Sequence, residues 1–134
     1  MTLDLSSYEK ALASLNEALV EYDRAANPFV KDSCIQRFEY TYELAHKLLK
    51  RQLEAMSANP GEIDQLSFPD LIRQGAERGL LPNGWDAWKL FRDARNATSH
   101  AYNEKKADEV FARIPAFRDE AAVLLANLKA RNAG

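Results

Sequence analysis

Cysteine is nearly missing from this chain: Cys34 is the only one among 134 residues. A single thiol forms no intrachain disulfide and builds no thiolate zinc site, so the fold cannot lean on either. Histidine is almost as scarce, with His46 and His100 alone. Neither stands in an HExxH or other metal-ligand spacing, so no metal and no cofactor is expected. No apolar run is long enough to span a bilayer and no leader-like segment opens the sequence, which makes a cytoplasmic protein without membrane contact the expectation. Five glycines and five prolines supply no glycine-rich phosphate loop, no GxSxG elbow and no low-complexity linker. A basic excess is absent as well, since 18 Lys and Arg face 20 Asp and Glu for a net charge of −2. That balance argues against broad coating of nucleic acid and confines any such contact to a local patch.

What is present reads as helix. With 46% hydrophobic and 28% charged residues the composition is that of a globular protein. One domain over residues 1–134 would bury about two thirds of its unfolded-chain surface. Leu5, Tyr8, Leu12, Leu15, Leu19 and Tyr22 recur at spacings of three and four, one stripe of an amphipathic helix. Ser6 or Ser7 is its expected cap, and Asn27-Pro28 its stop. A second helix is predicted from about Asp32 to Ala58, capped by Asp32 or Ser33 and ended by Asn59-Pro60-Gly61. Its inner face carries Cys34 (a core thiol), Phe38, Tyr42, Ala45, Leu49 and Leu53, with His46 at the margin as a packing or surface histidine. Ser67-Phe68-Pro69-Asp70 opens a short helix that closes at Arg78-Gly79. Trp85, Trp88 and Phe91 give the next helix an aromatic inner face. Asn103 caps the last helical region, which Pro115 is expected to kink or split, and the tail from Asn132 to Gly134 is expected to fray. The sum is an all-α, up-down four-helix bundle with a short inserted helix and a kinked or split C-terminal helix.

One octet stands apart chemically: Arg95-Asn96-Ala97-Thr98-Ser99-His100-Ala101-Tyr102. On an unbroken helix Arg95 and His100 would lie about 140° apart around the axis and about 7.5 Å apart along it. Thr98 and Ser99 are mediocre helix formers, so the helix is expected to fray near His100. A guanidinium clamps phosphate through two parallel hydrogen bonds, and an imidazole exchanges a proton near neutral pH. Together they suit cleavage of an RNA phosphodiester by its own 2′-hydroxyl. Lys89, Arg92, Lys105 and Lys106 would form the local RNA-contact patch. The plainer alternative is a helix C-terminal histidine that interacts with the last carbonyls. Upstream, Glu39 and Glu43 repel each other unless a cation intervenes. Lys47 is the local candidate and Arg95 the distant one.

The octet resembles the Arg-polar-x-x-x-His signature of the HEPN superfamily, and its trailing Tyr102 resembles the nucleotidyltransferase substrate-binding branch. Two further segments are similar in the same order, Gln36 to Lys50 and Phe68 to Ala76, so the likeness covers roughly Leu5 to Leu128. His46 departs from the aromatic residue such as Trp that many relatives carry. The resemblance implies a helical homodimer with Arg95 and His100 catalytic, Asn96 supporting them in the catalytic set, and Tyr102 as a phenol adenylylated by a cognate minimal nucleotidyltransferase. Glu39, Glu43 and Ser99 are expected, from their own chemistry, to support that site. In that picture the chain is a metal-independent endoribonuclease toxin and the partner its antitoxin. Two other readings stay open. One is a non-catalytic subunit that presents a substrate to the nucleotidyltransferase, and the other is a helical dimerisation module whose Arg and His are structural.

Overall fold

A computed structural model describes residues 2–133, and all regular structure among them is helical. Six α-helices follow in order: α1 (Ser6–Arg24), α2 (Pro28–Met56), α3 (Pro60–Asp64), α4 (Phe68–Glu77), α5 (Trp85–Ala97) and α6 (Glu104–Arg131). A 3₁₀ turn over Thr98–His100 joins α5 to α6. Helices α1, α2, α5 and α6 form the up-down bundle, with α2 packed on α1 and α6, and α5 on α6. The stripes read from the sequence are its core: Tyr8, Leu15, Cys34, Phe38, Leu49, Trp88, Ile114 and Phe117 are all fully buried. Phe38, Tyr42, Trp88 and Phe91 surround Phe117, and the Phe38, Trp88 and Phe91 rings meet it edge to face.

Several boundaries depart from the sequence expectations. Ser6 is the first residue of α1 rather than its cap, and its N–H and hydroxyl both donate to Asp4 Oδ1, at 2.9 and 2.7 Å. Helix α2 begins at Pro28, one turn earlier than Asp32, because the Asn27 side chain accepts from the Val30 N–H and proline suits the first helical position. Pro60 likewise opens the extra helix α3 directly after α2. Caps at Ser67 and Asn103 are as predicted, as is the left-handed Gly79 (φ 78°) that ends α4.

Pro115 does not split α6, which runs unbroken from Glu104 to Arg131. The proline ring is exposed, while Val110, Ile114 and Phe117 on either side of it are fully buried. Packing of that face holds the helix through the single hydrogen bond that proline removes. Asn132 is not frayed either: its Oδ1 accepts from the Leu3 N–H (3.0 Å), and its amide donates to Gln52 Oε1 and the Leu128 carbonyl. Gly134 lies outside the described residues. Leu3 and Asn132 therefore meet at one pole of the bundle, and the octet lies toward the other, beside the first half of α2.

Glu120 was invisible as a core residue in the sequence. It is 2% exposed and accepts from Trp88 Nε1 (3.0 Å), Asn83 Nδ2 (2.6 Å) and the Asn83 N–H (3.2 Å). This carboxyl ties the start of α5 to the middle of α6, which sets where α5 delivers the octet.

Candidate functional site

The end of α5 does not simply fray. It tightens into a 3₁₀ turn, a common helix ending, and Asn103 starts α6 three residues beyond His100 by accepting from the Lys105 and Lys106 N–H groups. The octet is thus a corner between two helices, and His100 and Tyr102 stand on its outside. Both are exposed, Tyr102 at 88%, and their rings meet edge to face at 6.4 Å between centroids. Such exposure gives both groups to solvent and to any partner.

Two carboxylates on α2 hold the corner. Arg95 Nε donates to Glu43 Oε1 at 2.5 Å, so the distant cation, not the local Lys47, answers Glu43. Arg95 is 32% and Glu43 51% exposed, so the pair contributes at most about 1 kcal/mol to stability. Its consequence is orientation, since it fixes one edge of the guanidinium and leaves the other available. One turn along, the Thr98 hydroxyl donates to Glu39 Oε2 and also lies 2.7 Å from the Arg95 carbonyl. The Ser99 hydroxyl donates to the Asn96 carbonyl at 3.3 Å. Thr98, a weak helix former by sequence, is thus a second anchor of the corner to α2, beside Arg95.

The cations expected as an RNA-contact patch divide. Lys89, Lys105 and Lys106 are exposed, with Lys106 Nζ 3.4 Å from Glu109 Oε2. Arg92 is committed elsewhere: its guanidinium lies 4.8 Å from the Trp85 ring centroid and 5.8 Å from that of Phe68. A cation over an aromatic face is held there by the ring quadrupole. Among the described residues no group of three or more His, Cys, Asp or Glu side chains could hold a metal ion, and no helix is long and apolar enough to cross a membrane.

His46 belongs to the packing, not to the corner. Its ring meets Phe68 edge to face at 4.6 Å, and burial holds its pKa below the ordinary imidazole value, with Lys50 adding to the shift and Glu43 opposing it. In the unfolded chain the group titrates near about 6.5. Between its folded and unfolded values the unfolded state binds more protons, so stability rises with pH through that window and is complete above it. Urea unfolding from pH 7.5 down to pH 5 should therefore show a loss that His46→Gln reduces. Identical pH slopes for the two chains would show that His46 is not the group responsible.

A family described as "Nucleotidyltransferase substrate binding protein like" matches residues 3–130. A Haemophilus influenzae protein described as "Probable ribonuclease HepT" is 35% identical over 97% of this chain and 94% of its own length. A solved Haemophilus influenzae structure, said to reveal the fold of a substrate binding domain of a nucleotidyltransferase, superposes with a TM-score of 0.88. It is 34% identical, over 94% of this chain and 99% of that one. A Thermus thermophilus crystal structure is similar at a TM-score of 0.69 and 35% identity, over 91% and 98% of the two chains. Identity at this level over nearly the whole length, with the same helical fold, means that the chain belongs to the nucleotidyltransferase substrate-binding protein-like family, within the HEPN branch that its octet resembles.

Proposed function

We propose that this chain is a metal-independent endoribonuclease, a toxin whose Arg95 and His100 cut RNA, and that a partner nucleotidyltransferase silences it by attaching AMP to Tyr102. The observation that carries the reading is the corner itself: an exposed imidazole beside an exposed phenol, one helical turn beyond a guanidinium already oriented by Glu43. The relative described as a ribonuclease supports it.

In the cleavage step His100 takes the proton of the RNA 2′-hydroxyl. The 2′-oxygen bonds to phosphorus, the 5′-oxygen leaves and takes a proton from solvent, His100 gives its proton back to solvent, and the products are a 2′,3′-cyclic phosphate and a 5′-hydroxyl end. Arg95 donates from its free edge to the phosphate oxygens as negative charge builds on them. Asn96 supports the two, and Lys89, Lys105 and Lys106 supply the local positive field. A homodimer sets a second copy of the corner opposite the first. In the silencing step the Tyr102 oxygen bonds to the α-phosphorus of ATP, pyrophosphate leaves and the phenolic proton passes to solvent. The adduct places a negative phosphodiester beside His100, where it repels the RNA backbone.

The purified chain should cleave RNA in excess EDTA, leaving cyclic phosphate ends. Incubation with the partner and ATP should add AMP to the Tyr102 peptide, located by mass spectrometry, and stop the cleavage; Tyr102→Phe should escape that silencing. An adduct on any other residue would end the role assigned to Tyr102. A second reading, a non-catalytic substrate-binding subunit, is favoured by the Glu43 carboxylate held on Arg95, by Glu39 held on Thr98 in the same corner, and by the net charge of −2. Under that reading the complex forms and RNA stays intact.

A further inference from the structure

A groove of about 280 Å³ runs between α2 and the corner, and Tyr102 is part of its wall. On the α2 side it is lined by Asp32, Ile35, Gln36 and Glu39, and on the corner side by Thr98 and Ala101. Ile35 is buried and Ala101 half-buried, so the groove has an apolar floor. Its polar groups are the Asp32 and Glu39 carboxylates, the Gln36 amide, the Thr98 hydroxyl, already donated to Glu39, and the Tyr102 phenol, and no lysine or arginine lines it.

That chemistry selects among the parts of a nucleotide. A phosphate meets Asp32 and Glu39 and is repelled. A ribose finds little to cover. A flat base, by contrast, lies on Ile35 and Ala101, gives its exocyclic amine to a carboxylate oxygen, and pairs with the Gln36 amide, the side chain that matches adenine's adjacent donor and acceptor. Glu39 already accepts from Thr98 through Oε2, which holds the carboxylate in the wall and leaves Oε1 for a base. A volume slightly below the usual range for small-molecule pockets suits one base rather than a dinucleotide. The Tyr102 side chain in the wall explains how such a shallow groove could fill: a base tethered to that phenol is present at high effective concentration.

We propose that this groove is the berth of the adenine base of AMP carried on Tyr102, so that the adduct closes the corner as an ordered plug. The proposal rests on the modification of Tyr102 put forward above. With its base in the groove, the nucleotide cannot swing aside, and its phosphodiester stays over the turn that carries His100.

Two measurements test it. In the first, the unmodified, ¹⁵N-labelled chain is titrated with AMP and, separately, with ribose 5-phosphate. AMP should shift the Gln36 side-chain amide and the Ala101 backbone amide, and ribose 5-phosphate should not. Gln36→Leu, at an exposed position, should weaken the AMP response about tenfold. Equal responses to the two ligands would overturn the base assignment. In the second, the partner enzyme transfers AMP to Tyr102 from ATP carrying ¹³C in its base, and signal loss on adding a soluble paramagnetic quencher reports how far the base is shielded. Shielding that Gln36→Leu removes supports the berth, and an adduct as open to quencher as in urea-unfolded chain sinks the berth alone. Failure to find any adduct on Tyr102, with the AMP titration intact, sinks the modification and this choice of occupant together. If Gln36→Leu instead raises KM for RNA cleavage by the unmodified chain and leaves the shielding unchanged, the groove serves a substrate base and the proposal fails.

Discussion

His100→Ala is expected to slow RNA cleavage by about 10²–10⁴-fold, the range that a positioned general acid or base supplies. The far-UV circular dichroism should not change, because His100 is exposed and its recorded ring contact is with Tyr102, itself outside the core. Arg95→Ala should lose a comparable factor for a different reason, the missing charge on the phosphate oxygens. Its stability cost should stay small, since the Glu43 carboxylate left behind is half exposed and water can solvate it. Arg95→Lys separates positioning from charge: a lysine keeps the positive charge but lacks the planar fork that binds Glu43 on one edge and phosphate on the other. It should therefore recover only part of the activity. Equal cleavage rates for wild type and His100→Ala would remove His100 from catalysis, and intact RNA with both chains would leave the substrate-binding reading in its place.

Glu120→Ala should be the most damaging of the single polar substitutions to stability, by about 2–4 kcal/mol, from unsatisfied donors that each cost about 1–3 kcal/mol when buried. The indole N–H of Trp88 is fully buried and loses its acceptor outright. Asn83 is more exposed, so water can replace part of what it loses. For a chain of this length the melting temperature should fall by roughly 10 °C. Glu120→Gln keeps the size and one acceptor oxygen but turns an amide NH₂, itself a donor, toward the donors, so it should fall between Ala and wild type. If Glu120→Ala melts within about 2 °C of wild type, the carboxyl contributes little beyond filling space. Because the carboxyl also sets the start of α5, the alanine variant should reduce cleavage more steeply on warming than wild type does.

The helices were legible because apolar residues three and four apart leave a strong mark, and the stripes from Leu5 to Tyr22 and from Cys34 to Leu53 are the inner faces observed. The two start errors share one cause. Asn27-Pro28 and Asn59-Pro60 read as stops in the sequence, although a polar residue followed by proline is also how a helix begins. Pro115 misled in the opposite sense: its missing hydrogen bond is local, whereas the burial of Val110, Ile114 and Phe117 that overrides it is tertiary. At the site, the octet could be picked out from residue chemistry alone. The choice between Lys47 and Arg95 as the partner of Glu43 could not, because it depends on how α5 crosses α2. Glu120 and the groove beside Tyr102 were hidden for the same reason. A glutamate on a helix looks like surface until three donors from another element converge on it.

The clasp between Leu3 and Asn132 has a practical consequence. Both ends of the described chain leave the bundle at the pole away from His100, and α6, 28 residues long, separates the poles by about 40 Å. A dye, a bead linker or a carrier protein joined at either end would therefore keep clear of RNA and of an enzyme approaching Tyr102. Immobilised in that way, the molecule would present the corner outward, and the proposed cleavage and nucleotide transfer would be sought on a tethered copy without interference from the anchor.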